Sequence, residues 1–278
     1  MMTRPLAVTA LLLLCSCGQG GESKQPAAAA SAQVPSAPPP APTASAFASA
    51  EAAADGARKV EQESDLASFD YAYPAAAGRI PALKAMLDGD LAEQQATITQ
   101  QAREGRKDAK ESGFPFNPYG HSTDWSVVTE LPGWLSLAAQ RWEFTGGAHG
   151  NPWSETLLWD KAANVKRMPV ELFRSKAALT AAIQQPFCAA LDKERAKRRG
   201  EPVRRGSGDP FDECIDPVES TVILGSSDHQ HFNRIGVLVD PYEAGPYAEG
   251  NYEVTLPVTP AVVAAVKPEY RGVFAAGR

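Results

Sequence analysis

From Leu66 onward the apolar residues of this chain recur with a readable period. Leu66, Phe69, Tyr71 and Tyr73 give a roughly alternating, aromatic run that Pro74 ends, which predicts a strand. Behind Pro81, a residue suited to a first helical turn, Leu83, Leu87, Leu91 and Ile98 recur at helical spacing. Asp88-Gly89 is expected to bend this helix, and the charged run 103–112 to mark its end and a loop. Three β-type runs follow at 124–130, 134–145 and 153–159, separated by Pro132-Gly133 and the Gly-rich segment 146–150. Residues 161–166 read as a hairpin connection into Met168 and Val170. Ser175 is a good N-cap for a second helix carrying Leu179, Ile183, Phe187 and Leu191 on one stripe, with a kink expected at Pro186. Strands return at 220–224, 235–240 and 252–257, and a short helix closes the chain at 260–266. Clustered β-runs joined by short turns predict an α+β fold: a largely antiparallel sheet with two main helices. It would form a single globular unit or two intimately packed subdomains, 64–173 and 174–278.

The first residues follow a different rule. Arg4, an apolar run from Pro5 to Leu14 and the tetrad Leu14-Cys15-Ser16-Cys17 resemble a bacterial lipoprotein signal. The run is too short to cross a bilayer, which takes about 20 residues, and has the shape of a cleavable export signal. In the lipobox it resembles, a small residue precedes the lipidated cysteine, so Ser16 selects Cys17 over Cys15. The expectation is a signal peptide at 1–16 and lipid on Cys17, with a plain secretory signal as the alternative. Residues 18–63 are Ala, Pro, Ser and Gln with almost no large apolar side chain. Such a segment cannot offset the entropy of folding, so 17–63 reads as a lipidated, disordered tether.

Charge and cysteines narrow the picture. The formal charge of −6 excludes a nucleic-acid partner, which needs a basic face, and slightly favours a cationic one. Once Cys15 is removed and Cys17 acylated, only Cys188 and Cys214 remain. In an oxidising compartment a pair of this kind is most simply a disulfide, constraining the unfolded chain by roughly 3 kcal/mol. A metal site or a catalytic thiol are the competing readings, but no His or second Cys stands at ligand spacing from either sulfur.

Two segments carry a family resemblance. Phe144-Thr-Gly-Gly-Ala-His-Gly-Asn151, and the run from Val237 through Asp240-Pro-Tyr-Glu to Pro246-Tyr247 and Gly250, resemble the signature segments of an extracytoplasmic domain family. It is shared by the lysozyme-sensing anti-sigma factor RsiV and the peptidoglycan deacetylase PdaC. The same pattern, a Gly-Gly-Ala-His-Gly turn, a hairpin with Asp at its tip and a Leu-Phe opening a helix, is matched by Gly146, Gly147, His149, Gly150, Asp160 and Leu172-Phe173. The resemblance spans about 64–270, its first half PdaC-like and its second RsiV-like, and departs at Thr97-Ile98, where the family commonly has Ile-Asn. It implies a wall-proximal or ligand-binding module. The separate catalytic domain of PdaC has no counterpart here, nor have the membrane span and sigma-binding part of RsiV.

The candidate residues each have two readings. His149, exposed between glycines, is a possible acid/base catalyst or a ring that ties a tight turn to a neighbouring loop. No G-x-S-x-G nucleophile motif accompanies it. Tyr242, Glu243 and Tyr247 form either a recognition loop for a sugar or a cationic protein, or a core cap. Asp228-His229-Gln230-His231 is a metal half-site if it lies on a strand, but two histidines are not three ligands, so no metal and no cofactor is expected. The basic run 193–205 reads as a solvated helix end, with an anionic lipid or wall polymer as the alternative.

Together these readings predict a lipoprotein of the bacterial envelope facing the periplasm and held to the membrane by its lipid. Its non-catalytic domain would bind peptidoglycan or a lysozyme-like protein through His149, Tyr242, Glu243 and Tyr247. The alternative is an envelope hydrolase using His149 and Glu243 as acid/base pair. The two signature turns are expected side by side.

Overall fold

Phe69, Tyr71 and Tyr73 point to one side of strand β2 (Ala67–Tyr73) and are all buried, as a two-residue period dictates. In the computed structural model, which describes residues 56–277, β2 pairs antiparallel with β1 (Arg58–Glu63) on one side. Its other neighbour, β3 (Tyr119–Leu131), is parallel to it. A parallel pair needs a crossover, supplied by α1 (Ala75–Gly78) and the long α2 (Pro81–Ser112). Then β4 (Trp134–Phe144), β5 (Asn151–Asp160) and β6 (Val165–Arg167) continue antiparallel, completing a six-stranded sheet in the order β1 to β6. After α3 (Lys176–Arg199), β7 (Thr221–Gly225), β8 (Arg234–Val239) and β9 (Tyr252–Pro257) form a separate antiparallel sheet, closed by α4 (Pro260–Ala265).

The β-elements thus divide between two sheets, stacked between two helices. One face of the six-stranded sheet buries Leu135, Leu137, Ala139 and Leu157 against Leu83, Leu87, Leu91 and Ile98 of α2. Ala138, on the opposite face of β4, meets Ile223 and Leu238 of the smaller sheet. That sheet's far side, including Val222, Val237 and Val254, packs on Leu179, Ile183, Phe187 and Leu191 of α3. Each such side chain stabilises the fold by about 1.5–3 kcal/mol. Ser175 caps α3 by accepting from the Ala178 amide.

Two expectations need correction. Arg58–Glu63 falls within the expected tether but is an edge strand. α2 does not end in the charged run but continues through 103–112 to Gly113, whose φ of 73° ends it. Gly89 lies inside this helix, where a glycine costs only about 1 kcal/mol, and α3 likewise contains Pro186, which is exposed. Across the expected boundary at 173, Leu131, Trp134 and Leu158 share one core with Phe232, Val258 and Phe274. The signal peptide, Cys17 and most of the tether lie outside the described residues.

Candidate functional site

The Gly-rich turn joins β4 to β5. Gly146 and Gly147 take φ values of 103° and 93°, a region that side chains disfavour, so the sequence turns there and lifts His149 to the surface. The late loop leaves β8 at Asp240 and returns to β9 at Tyr252. The two meet directly. His149 stacks on Tyr247 with ring centroids 3.9 Å apart, its Nε2 lies 3.4 Å from the Tyr242 hydroxyl, and Nδ1 lies 2.9 Å from the Gly150 carbonyl. Tyr247 donates to that same carbonyl at 3.0 Å.

Most of the late loop is occupied in holding the fold. The amide and hydroxyl of Ser154 both donate to Asp240 at 2.8 Å, clamping β5 to the smaller sheet. Burial pushes the Asp240 pKa up while the two donors draw it down. Fully buried Arg195 donates to the carbonyls of Ala244 at 2.8 Å and Glu213 at 2.9 Å. Glu249 accepts from Arg199 and from Tyr252, whose pKa is pushed up to about 12 by burial and then by that carboxylate.

Glu243 turns elsewhere. It accepts from the Ser220 hydroxyl at 2.6 Å, and desolvation of its carboxyl raises its pKa, with the charge of Asp240 adding to this. His149 and Glu243 therefore bond to different partners. Ser154 and Ser220 also line a groove of about 320 Å³ between β5 and β7, with Thr156, Met168, Lys176 and Val218.

What remains open is aromatic. Tyr242 is 55% exposed at φ 72°, an unusual backbone for a large side chain. Its ring lies 5.8 Å from that of Tyr247 and 6.5 Å from that of His149. Behind Gly150 stands half-buried Trp142, parallel within 15° to Phe144 at 6.4 Å. A side chain at Gly150 or Gly120 would overlap the Trp142 indole. The sequence marks Phe144 only as the start of the signature segment and Trp142 only as a strand residue, although two aromatic rings alternating into a glycine turn were the available signal.

The other candidates are structural. Cys188 and Cys214 form a disulfide, Cα atoms 5.6 Å apart, pinning the 209–216 loop to α3. Asp160 caps its hairpin by accepting from the Ala163 amide and Arg167, and Leu172 and Phe173 are core residues. Asp228 to His231 sit in the loop between β7 and β8, not on a strand. There Asp228 accepts from the amides of His231 and Gln230, which hold its pKa down. Among the described residues no three His, Cys, Asp or Glu side chains gather as a metal site. In the basic run, Arg195 and Arg205 both pair with Asp192, Arg199 pairs with Asp212 and Glu249, and Arg198 lies over the Tyr252 ring at 4.1 Å.

Comparison with known proteins gives a family match for part of the chain. Residues 60–152 match the family model described as deacetylase PdaC, which takes in the His149 turn but not the late loop. No curated protein matches the chain. The crystal structure of a DUF3298 family member from Bacteroides fragilis, 17% identical, superposes with a TM-score of 0.51 over 78% of this chain and 95% of that one. A DUF3298 protein from Pseudomonas aeruginosa is 18% identical, with a TM-score of 0.44 over 80% and 97%. At residues 60–152 the chain thus carries a PdaC-like domain of unknown function, within a fold that it shares with a DUF3298 family protein.

Proposed function

We propose that this chain is a lipoprotein of the bacterial cell envelope, anchored through Cys17. Its domain, outside the cytoplasm, binds a wall component or a wall-attacking protein such as lysozyme without catalysing a reaction. The observation that carries the binding reading is the exposed ring cluster of His149, Tyr242 and Tyr247, with Tyr242 held at φ 72°. A strained, exposed aromatic residue is retained where it makes contact with something outside the fold. The lipobox and the PdaC match support the location, and among the described residues no helix is long and apolar enough to cross a membrane. The hydrolase alternative lacks a shared pair: His149 bonds to Gly150 and Tyr242, Glu243 to Ser220.

Pull-down of the purified protein against peptidoglycan fragments and against lysozyme tests this. Tyr242→Ala and His149→Ala should each cut capture about tenfold, as for central interface rings. Capture by neither bait, or capture indifferent to both substitutions, would sink the proposal.

A further inference from the structure

The ring cluster continues past the loop. Trp142 and Phe144 are alternate residues of β4 and share a face of the six-stranded sheet. That is the face that carries Ala138, and there the smaller sheet covers it through Ile223 and Leu238. Further along, Trp142 and Phe144 are only half-buried. The indole spans from Gly120 on β3 to Gly150 before β5, a width that only residues without side chains leave free. Gly150 joins the two ring groups, since it backs the indole while its carbonyl accepts from Tyr247. Three of the rings, Trp142, His149 and Tyr247, therefore meet at one glycine, and the indole Nε1 of Trp142 donates to no group among the described residues. An indole N–H that is buried finds a partner; this one is open to a partner from outside.

Charge selects the kind of partner. The polar groups beside these rings are uncharged or acidic: Gln140 and Asn251, joined at 3.2 Å, and Ser122, paired with Trp142 across the sheet, with Asp124 and Asp70 next along the same face. Of the basic side chains, Arg198 and Arg199 beside the late loop are committed to the Tyr252 ring and Glu249, and Lys59 on the same sheet face to Glu61. The carboxylate of Glu243 is bonded to Ser220. A surface of near-parallel rings with amides, a hydroxyl and carboxylates beside them complements a ligand that has flat apolar faces rimmed by hydroxyls and amides, and disfavours an anionic one.

We infer that Trp142 and Phe144 extend the His149, Tyr242 and Tyr247 cluster into a stacking surface for a saccharide chain, with Trp142 Nε1 as a hydrogen-bond donor to it. This rests on the binding reading above and names its ligand class. The test is titration of the full chain with chitotetraose and, separately, cellotetraose, followed by calorimetry and tryptophan fluorescence, with lysozyme in a parallel arm. Saturable binding of either tetrasaccharide is expected; preference for chitotetraose adds acetamido recognition, and equal binding assigns the ring faces alone. Trp142→Ala and Tyr242→Ala should each weaken it about tenfold, and Trp142→Phe by no more than about threefold. Trp142→Phe and the exposed Tyr242→Ala keep the test decisive if Trp142→Ala fails to fold. No saturable binding of either sugar, or binding that Trp142→Ala and Tyr242→Ala leave unchanged, overturns the inference. If lysozyme is captured through Tyr242 while both sugars fail, only the saccharide assignment falls. If all three fail, the binding reading falls with it.

Discussion

Two regions of this fold concentrate chemically capable side chains, and they differ in how completely those side chains are partnered. Under α2, Arg141 is 5% exposed, its guanidinium 2.8 Å from Asp90 and 2.7 Å from Glu155, and it lies over the Trp125 ring. Tyr71 donates to the same Asp90 and accepts from Trp125, while Lys166 reaches Glu155. Nearly every charge there is answered from within the chain, so the cluster serves the fold. At the other region the rings of Tyr242, His149 and Trp142 have filled only their inner sides. Richness in titratable groups does not by itself mark a site.

The comparison breaks first if Arg141 can be removed cheaply. Arg141→Ala leaves the carboxylates of Asp90 on α2 and Glu155 on β5 without the cation they share. Loss of one partner of a buried pair costs about 3–5 kcal/mol, and the partial exposure of Asp90 and Glu155 places this case near 3. Chemical denaturation should show that loss with sugar or protein binding intact in the folded fraction. A loss below about 1 kcal/mol would move this network into the surface class.

A second test uses pH. His121 is 2% exposed, near Phe69, Trp153, Thr123 and Glu143. Burial lowers its pKa, the nearby Arg141 lowers it further, and Glu143 and Asp90 oppose this. The unfolded chain therefore takes up a proton near pH 6.5 that the folded chain refuses. The stabilising contribution is present above that value and is lost as pH falls below it. Denaturation between about pH 7 and pH 5 should show wild type losing more stability than His121→Asn. Equal losses would show that His121 is charged or indifferent in the fold.

The saturated region was also the less legible one. Alternation in 67–73 and the Ser175 cap with its four-residue stripe told the strand and α3 correctly, because one face of each is buried and the other is not. β1 has no such contrast: five of its six residues are exposed on an edge, so RKVEQE reads as tether. The second half of α2 is polar for the same reason, with Ala102 its last buried residue. Arg141, Asp90 and Glu155 stand 14 to 65 residues apart and meet only through register, which no local pattern encodes. In the open region the turn motifs named His149, Tyr242 and Tyr247, since glycine and proline placement is local. Glu243 was grouped with them by adjacency, yet its bond runs to Ser220.

The smallest effect sharpens the contrast most. Tyr242 adopts φ 72°, which a non-glycine residue holds at a cost of order 1–3 kcal/mol. Its ring is 55% exposed and returns little burial in exchange. Tyr242→Gly removes the steric cost but gives the unfolded chain more freedom, and the two partly cancel. Stability should therefore stay level or rise, by no more than about 1 kcal/mol, whereas ligand capture falls. Tyr242→Asn, which tolerates the left-handed region while keeping a side chain, should behave alike without the entropy loss. Such an exchange of stability for function is expected of a residue kept for contact with a partner. If both variants instead lost stability by more than about 1 kcal/mol, Tyr242 would be a packing residue of the His149 turn. The open region would then be as closed as the network under α2.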